Sequence, residues 1–100
     1  MTKKRLKPEI RKNQILIAAL SLAAEGHYTQ VSRDKIAALC GVTGTAVQHH
    51  FGTMKQLRRA IIRYAIANSN HKVVAQAIIA NDPAVSGLTD EQRAAALGAF

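Results

Sequence analysis

The chain has 100 residues, of which 48% are hydrophobic and four are aromatic, and its formal net charge is +8. This length allows one domain with a modest core. Because the chain has few large side chains, little room is left for an enclosed ligand cavity. The longest apolar run covers residues 15–20, too few to span a bilayer. Runs of β-branched residues and alternating apolar residues are absent, so we predict an all-α fold.

Positive charge is concentrated in the first part of the chain. Residues 1–72 carry 13 of the 14 Lys and Arg residues against three acidic residues, a balance of +10. Residues 73–100 carry one Arg against three acidic residues, a balance of −2. This asymmetry indicates a half that binds a polyanion and a half that self-associates. The alternative is a basic protein kept soluble by its charge. The single cysteine, Cys40, cannot form an internal disulfide, so a reducing compartment fits best.

The first 25 residues predict a basic arm and one helix. Residues 1–7 carry four Lys or Arg residues and are expected to form a flexible arm that lies along phosphates or in a minor groove. A solvated tail is the alternative. Pro8 fits the first turn of a helix, apolar residues at helical spacing continue to about Glu25, and Gly26 can end the helix.

Residues 32–51 predict two short helices around a tight turn. Ser32 can cap the first helix, and Gly41 can adopt the left-handed conformation that ends it. Thr43 can cap the second helix, in which Val47 and Phe51 form a narrow inward face because they are four residues apart. This layout is that of a helix-turn-helix DNA reader.

The outward face of the second helix carries short or hydrogen-bonding side chains, whereas a solvated helix is more often rich in Lys and Glu. We therefore predict that it contacts base edges in a major groove. The predicted base-reading residues are Gly44, Thr45, Gln48 and His49. Predicted contacts to the DNA backbone come from the arm and from neighbouring helix ends, namely Lys4, Arg5, Arg33, Thr43, His50, Thr53 and Lys55.

The rear of the chain predicts one long helix and a short last one. Thr53 can cap the long helix. The polar residues 68–71 either end this helix or form an exposed polar patch on a longer one. Thr89 and Gln92 have the spacing of a capping box for the last helix. The long helix has apolar residues on two sides, and each side needs a surface to pack against. Because one monomer of this size offers only one core, we predict that a second copy covers the other side in a homodimer. The predicted dimer surface comprises Ile62, Ile66, Val73, Val74, Ala77 and Ile78.

From residue 15 to about residue 57 the chain resembles the DNA-binding domain of TetR-family transcriptional regulators. The segment from Ile15 to Leu22 is similar to the family's "ILxAALxLF" helix. The family's "GVSxGTLYYHFxSKxxL" is matched in register by Gly41, Val42, Thr43, His50, Phe51, Thr53 and Leu57. Where that motif has paired tyrosines, this chain has Gln48 and His49, and Met54 stands where it has lysine. These departures change individual contacts and leave the fold intact.

The resemblance implies a three-helix head, which the long helix and the short C-terminal helix predicted above follow in the chain. We divide the chain into a basic arm (1–7), a helix-turn-helix DNA-binding domain (8–67) and a helical dimerisation tail (68–100). The family normally continues into a large helical domain that binds an inducer. We therefore expect either a minimal regulator without an inducer pocket or a fragment of a longer chain.

The expected function is that of a homodimeric repressor that binds a palindromic operator on double-stranded DNA, in the cytoplasm of a bacterium and associated with its nucleoid. Two alternatives stay open: a non-specific nucleoid-type DNA-binding protein, and an antagonist that heterodimerises with a full-length relative. No small-molecule inducer, cofactor, metal or membrane partner is expected. Nor is an enzyme expected, because the adjacent His49 and His50 would point about 100° apart on a helix, and no Cys or acidic ligand lies at productive spacing.

Overall fold

The computed structural model of the protein describes residues 7–98, so Lys4 and Arg5 of the predicted arm lie outside the described residues. Within this range the secondary structure is helical, which confirms the all-α fold. The α-helices are α1 (Pro8–Glu25), α2 (Arg33–Cys40), α3 (Gly44–Phe51), α4 (Met54–Ala67), α5 (His71–Ile79) and α6 (Asp90–Gly98). Two short 3₁₀ turns, Tyr28–Gln30 and Pro83–Val85, lie in the connections before α2 and before α6.

Side-chain caps set where the central helices begin. The Ser32 hydroxyl accepts a hydrogen bond from a backbone N–H in the first turn of α2, and Thr43 does the same for α3. Thr53 and Gln56 form a reciprocal capping box at the start of α4. Each of these contacts satisfies a backbone donor that a helix start would otherwise leave unpaired. Gly41 ends α2 in the left-handed conformation, at a φ of 70°, as the sequence predicts.

The polar stretch after α4 ends that helix. The Asn68 side-chain amide donates to the Tyr64 carbonyl at 2.8 Å, and Ser69 has a positive φ of 53°. The Asn70 side chain then accepts from the Val73 N–H and caps α5. Because these side chains satisfy backbone groups on both sides of the interruption, α4 and α5 are separate helices, which settles the question that the sequence leaves open.

One core draws buried side chains from all six helices and from both 3₁₀ turns. Its largest fully buried side chains are Ile15, Tyr28, Ile36, Val47, Leu57, Ile61, Ile62 and Val73. Alanines fill much of the rest, and Ala19, Ala65 and Ala75 have no exposed surface. Small side chains allow helix backbones to approach closely, so this core is built with few aromatic residues.

Most of the predicted dimer surface lies inside this core. Ile62, Val73, Val74 and Ala77 are at most 4% exposed, and Ile66 and Ile78 are partly buried. The helix α5 packs against α1 and α4, and α6 packs against α5. The two apolar sides of this region therefore find their partners within a single chain, so the four buried side chains are not available to a second copy in this fold. Dimerisation itself stays a prediction.

None of the helices in residues 7–98 is both long enough and apolar enough to cross a lipid bilayer.

Candidate nucleic-acid interface

The helix α3 is anchored on one side and open on the other. Val47 is fully buried, whereas Thr45, Gln48 and His49 are exposed. These three positions follow a spacing of three and four residues, so their side chains lie on one face of the helix. Their hydroxyl, amide and imidazole groups are able to donate and accept hydrogen bonds. This face has the chemistry and the accessibility that contacts to base edges require.

Both ends of α3 are fixed by contacts within the chain. The Thr43 hydroxyl oxygen accepts from the Ala46 N–H at 3.1 Å. At the other end, the Gly52 N–H donates to the Gln48 carbonyl, and Gly52 has a φ of 75°. Lys12 of α1 places its ammonium nitrogen 5.9 Å from the centre of the Phe51 ring. The exposed face with Thr45, Gln48 and His49, which we call the predicted reading face, therefore lies on a short helix that is fixed at its start, its end and its inner side.

Gly44 lies where α3 comes closest to α2. A β-carbon at this position would lie 3.1 Å from Oδ1 of Asp34, a tighter approach than ordinary van der Waals contact. The sequence suggests that Gly44 permits a close approach to DNA. The structure adds a second role, because the absence of a side chain lets the first turns of α2 and α3 meet.

A polar cleft of about 670 Å³ runs beside the reading face. It is bounded by residues 29–31 and by the first turns of α2, α3 and α4. Helix N-termini carry partial positive charge and unpaired N–H groups, which favour anions. Arg33 and Arg58 add two full positive charges to the cleft, against the single carboxylate of Asp34. Thr45 and Gln48 also line it, so the cleft joins the predicted base-reading face.

Arg58 is a cleft residue that the sequence does not single out. Its guanidinium donates to the Thr29 carbonyl at 3.2 Å, and its Nε is buried without a hydrogen-bond partner among the described residues. Helical spacing places Arg59 and Arg63 on one face of α4 and Arg58 about 100° away, but it does not show which face lies towards α3. Only the fold shows that Arg58 faces the cleft, whereas Arg59 and Arg63 are exposed on another face, beside Leu16 and Tyr64.

The far end of α3 lies in a second basic region. His50 is partly buried, and burial together with the nearby positive groups of His49, Lys12 and Arg11 lowers its pKa below the usual 6.5. An anion beside His50 would have the opposite effect and favour the protonated ring. The predicted backbone contact His50 is thus within electrostatic range of Lys12 and Arg11, in the first turns of α1.

The remaining predicted backbone contacts occupy the starts of helices. Thr43 and Thr53 cap α3 and α4, and each hydroxyl oxygen accepts from a backbone N–H of its helix. The Thr53 hydroxyl also donates to Oε1 of Gln56 at 3.3 Å. Lys55 is exposed in the first turn of α4, and Arg33 is half-buried in the first turn of α2. The structure therefore arranges these residues around the ends of the reading helix.

The His49 and His50 rings lie 5.6 Å apart between centroids in an edge-on arrangement. Among residues 7–98, no group of three or more His, Cys, Asp or Glu side chains is arranged to hold a metal ion.

The chain matches a known protein family over its helix-turn-helix segment. Residues 15–61 match the model described as "Bacterial regulatory proteins, tetR family". The matched segment runs from the first buried residue of α1 into the middle of α4 and contains the whole helix-turn-helix. No curated protein and no solved structure matches the chain.

Proposed function

Because residues 15–61 are a helix-turn-helix DNA-binding domain of the tetR family of bacterial regulators, we propose that the protein regulates transcription by binding a specific sequence of duplex DNA. The observation that carries this proposal is the exposed polar face of α3, formed by Thr45, Gln48 and His49 on a helix whose opposite side buries Val47. Charge alone would suffice for non-specific binding, whereas this face offers hydrogen-bonding groups that distinguish base pairs.

In this proposal α3 enters the major groove. The Gln48 amide suits adenine, since it can accept from N6 and donate to N7 at once. Thr45 offers both a hydroxyl and a methyl group, and the methyl suits thymine. His49 adds a ring nitrogen at the same face. Each good bidentate contact discriminates against a wrong base by about 1–3 kcal/mol.

Two basic regions would hold the backbones on either side of α3. On one side lie the cleft with Arg33 and Arg58 and the helix starts that bound it. On the other side His50 lies beside Arg11 and Lys12. Such contacts fix the position and orientation of a reading helix without carrying sequence information themselves. Lys55, in the first turn of α4, completes the set as a contact to a phosphate.

The length of α3 favours recognition by two copies. Eight residues span about 12 Å at 1.5 Å each, which covers about four base pairs of duplex. We infer that a homodimer doubles this site by binding a palindromic operator, with half-sites one helical turn or more apart. The large apolar side chains exposed on α5 and α6 within residues 7–98 are Ile79, at 61%, and Leu97, at 44%. Together with the partly buried Ile66 and Ile78, they form the proposed contact between copies.

A dimer on a promoter would repress by occluding the polymerase, inside the bacterial cytoplasm and on the nucleoid. We propose that the amount of protein or a partner, and not a bound inducer, controls repression.

The groove between the end of α4, the start of α5 and α6 supports this proposal. Its volume is about 280 Å³ and it is open to solvent, whereas ligand pockets usually enclose about 300–1,000 Å³.

Selection of bound duplexes from a random pool tests the proposal. We expect an enriched inverted repeat whose half-sites each span a few base pairs. A pool that stays random after several rounds would contradict specific recognition and favour the nucleoid-type alternative. The mass of the protein in solution, with and without the enriched duplex, then shows whether two copies bind. A chain that binds no duplex would favour the antagonist of a full-length relative.

A pair of lysines offers a matched test of the interface itself. Lys55→Ala should weaken binding to all duplexes similarly and reduce the slope of log affinity against log salt by about one, since one phosphate contact is lost. Lys72 is also exposed but belongs to α5, so Lys72→Ala should leave the slope unchanged. Equal slopes for both variants would contradict the proposed position of the DNA.

A further inference from the structure

A buried glutamine connects α5 with the segment between α1 and α2. Gln76 is 5% exposed. Its side-chain oxygen accepts from the Tyr28 N–H at 3.0 Å. Its side-chain nitrogen donates to the carbonyls of Ala23, at 3.0 Å, and Gly26, at 3.2 Å. One side chain thus satisfies three backbone groups at the end of α1 and at the start of the following 3₁₀ turn, 48 to 53 residues away in the chain.

A second contact joins the same segment to the loop after α5. The Tyr28 hydroxyl donates to Oδ2 of Asp82 at 3.0 Å, and Oδ1 of Asp82 accepts from the Ala84 N–H at 2.9 Å. Tyr28 is 2% exposed, and burial together with the Asp82 carboxylate raises its pKa to about 12. The hydroxyl therefore stays protonated at physiological pH and remains a donor to Asp82.

The segment held in this way leads directly into the reading head. Tyr28–Gln30 is followed by the buried Val31 and by Ser32, which caps α2. Thr29 in the same turn accepts from Arg58, and both residues line the cleft beside α3. Since α2 packs on α3, a shift of this turn would change the orientation of α2 and, through it, that of the reading helix.

Packing alone does not explain a glutamine at this position. The neighbours of Gln76 in α5 are Val74, Ala75 and Ala77, all buried. A purely apolar side chain would fit the composition of this helix but would leave the Tyr28 N–H and two carbonyls without their partner. Each buried backbone group that loses its hydrogen bond is costly. The side-chain amide of Gln76 therefore provides the hydrogen bonds that the segment before α2 needs.

We propose that Gln76, assisted by Asp82, is a positioning residue for DNA recognition: α5 holds the turn before α2 in the place that lets α3 read bases. This inference rests on the proposed function. It makes α5 a support for the predicted reading helix.

The test compares Gln76→Met, which keeps length and removes the hydrogen bonds, with Ala80→Met at the exposed residue directly after the same helix. The probes are the duplex enriched from the random pool by the wild-type chain and a duplex of random sequence, both measured where circular dichroism shows the variants fully folded. For Gln76→Met we expect affinity for the enriched duplex to fall on the order of tenfold. Affinity for the random duplex should change by less than about twofold, because no charge is altered. Ala80→Met, which introduces the same side chain outside both proposed interfaces, should match the wild type.

Equal losses on both duplexes would show a merely structural role and overturn the proposal, as would no loss on either. If Gln76→Met does not fold, Tyr28→Phe decides, since it removes only the hydroxyl contact to Asp82. It should show the same selective loss at a smaller size, and Asp82→Asn, which keeps a polar partner for Tyr28, should retain more affinity than Asp82→Ala. A Tyr28→Phe variant that matches the wild type on the enriched duplex would then overturn the proposal.

Amide hydrogen exchange in the DNA-free protein separates this inference from the proposed function. Gln76→Met should accelerate exchange in residues 28–35 on the order of tenfold while exchange in the middle of α4 stays unchanged. If the random pool yields no enriched duplex, the proposed function fails, yet this exchange pattern still shows whether Gln76 orders the turn. Unchanged exchange in residues 28–35 would overturn the positioning role directly.

Discussion

The helices α3 and α5 are almost equally long, with eight and nine residues, and they use their residues in opposite ways. In α3 only Val47 is buried, and the polar face of the helix is open to solvent. In α5 five successive residues, Val73 to Ala77, are buried. A helix buried on all sides is specified by its packing, whereas a helix anchored at one position leaves its remaining side chains open to a partner.

The difference also lies in what stabilises each helix. Isolated helices this short are unstable in water. The helix α5 is stabilised by the surfaces that enclose it, and α3 depends on the Thr43 cap, on Val47 and on the glycines that flank it. Outward residues of α3 should therefore tolerate change without loss of stability, whereas almost any change within the buried part of α5 should affect folding.

The largest expected effect comes from placing a charge in each helix. Ala75→Lys buries an ammonium group where the side chain has no exposed surface, and we expect a loss of more than about 4 kcal/mol in the free energy of unfolding. Thr45→Lys on the exposed face of α3 should change that free energy by less than about 0.5 kcal/mol. Urea denaturation of both variants measures the difference. Similar losses would contradict the contrast between the two helices.

The next effect concerns the end of α3. Gly52 has a φ of 75°, and a β-carbon there would collide with Oε1 of Gln56, which belongs to the α4 capping box. Gly52→Ala should cost about 3 kcal/mol, from backbone strain and from the displaced cap. Gly41→Ala meets no atom within 4 Å and should cost only the strain of its positive φ, about 1–2 kcal/mol. Thermal unfolding that ranks Gly41→Ala as the more damaging change would refute this account of the junction.

A smaller effect is expected from the reading face, and it should be seen only with DNA. Gln48→Ala should leave the unfolding free energy within about 0.5 kcal/mol of the wild type, because the side chain is exposed. It should lower discrimination between the enriched duplex and single-base variants by about 1–3 kcal/mol at one position of each half-site. Competition binding against a set of single-base variants measures this. Discrimination preserved at every position would remove Gln48 from the base-reading set.

The smallest effect is a dependence on pH. Burial and neighbouring cations lower the pKa of His50 in the protein without DNA, so the ring is less readily protonated there than in an unfolded chain. The stability that His50 contributes is therefore present above pH 6.5 and is lost as the pH falls through the lowered pKa. A DNA phosphate beside the ring would raise this pKa, so binding would take up a proton and affinity would increase as the pH falls below 6.5.

Fluorescence anisotropy between pH 8 and about pH 5.5 checks this, with an expected gain of a few-fold for the wild type and a smaller gain for His50→Gln. His71→Gln, in α5, is the matched control and should follow the wild type. The same pH profile for His50→Gln and the wild type would exclude His50 as the source of the gain.

Much of the fold follows from local signals in the sequence. Short-range hydrogen bonds indicate the helix starts at Ser32, Thr43, Thr53 and Thr89. The backbone freedom of Gly41 indicates the turn after α2. These effects depend on neighbours within a few residues, so the pattern alone predicts where α2, α3, α4 and α6 begin. The exposed and buried sides of α3 follow in the same way from spacing.

What the sequence could not supply depends on contacts between distant residues. The spacing of apolar residues shows that the region from Ile62 to Ile78 has two apolar sides, but not whether a second copy or the same chain covers them. The sequence shows Arg58 as one of several basic residues in α4, and only the fold shows that its side chain lines the cleft. Gln76 looks like a polar residue in an apolar helix, and only the meeting of α5 with the end of α1 reveals its three hydrogen bonds.

The most direct test of the central claim maps the DNA contact on the protein residue by residue. Amide chemical shifts of isotope-labelled protein, recorded with and without the enriched duplex, report every backbone position at once. We expect the largest changes in residues 43–50 and 53–56, at the reading helix and the start of α4, with much smaller changes in the buried residues 73–77. Changes centred on α5 and α6, with α3 unaffected, would contradict the claim that α3 reads the DNA.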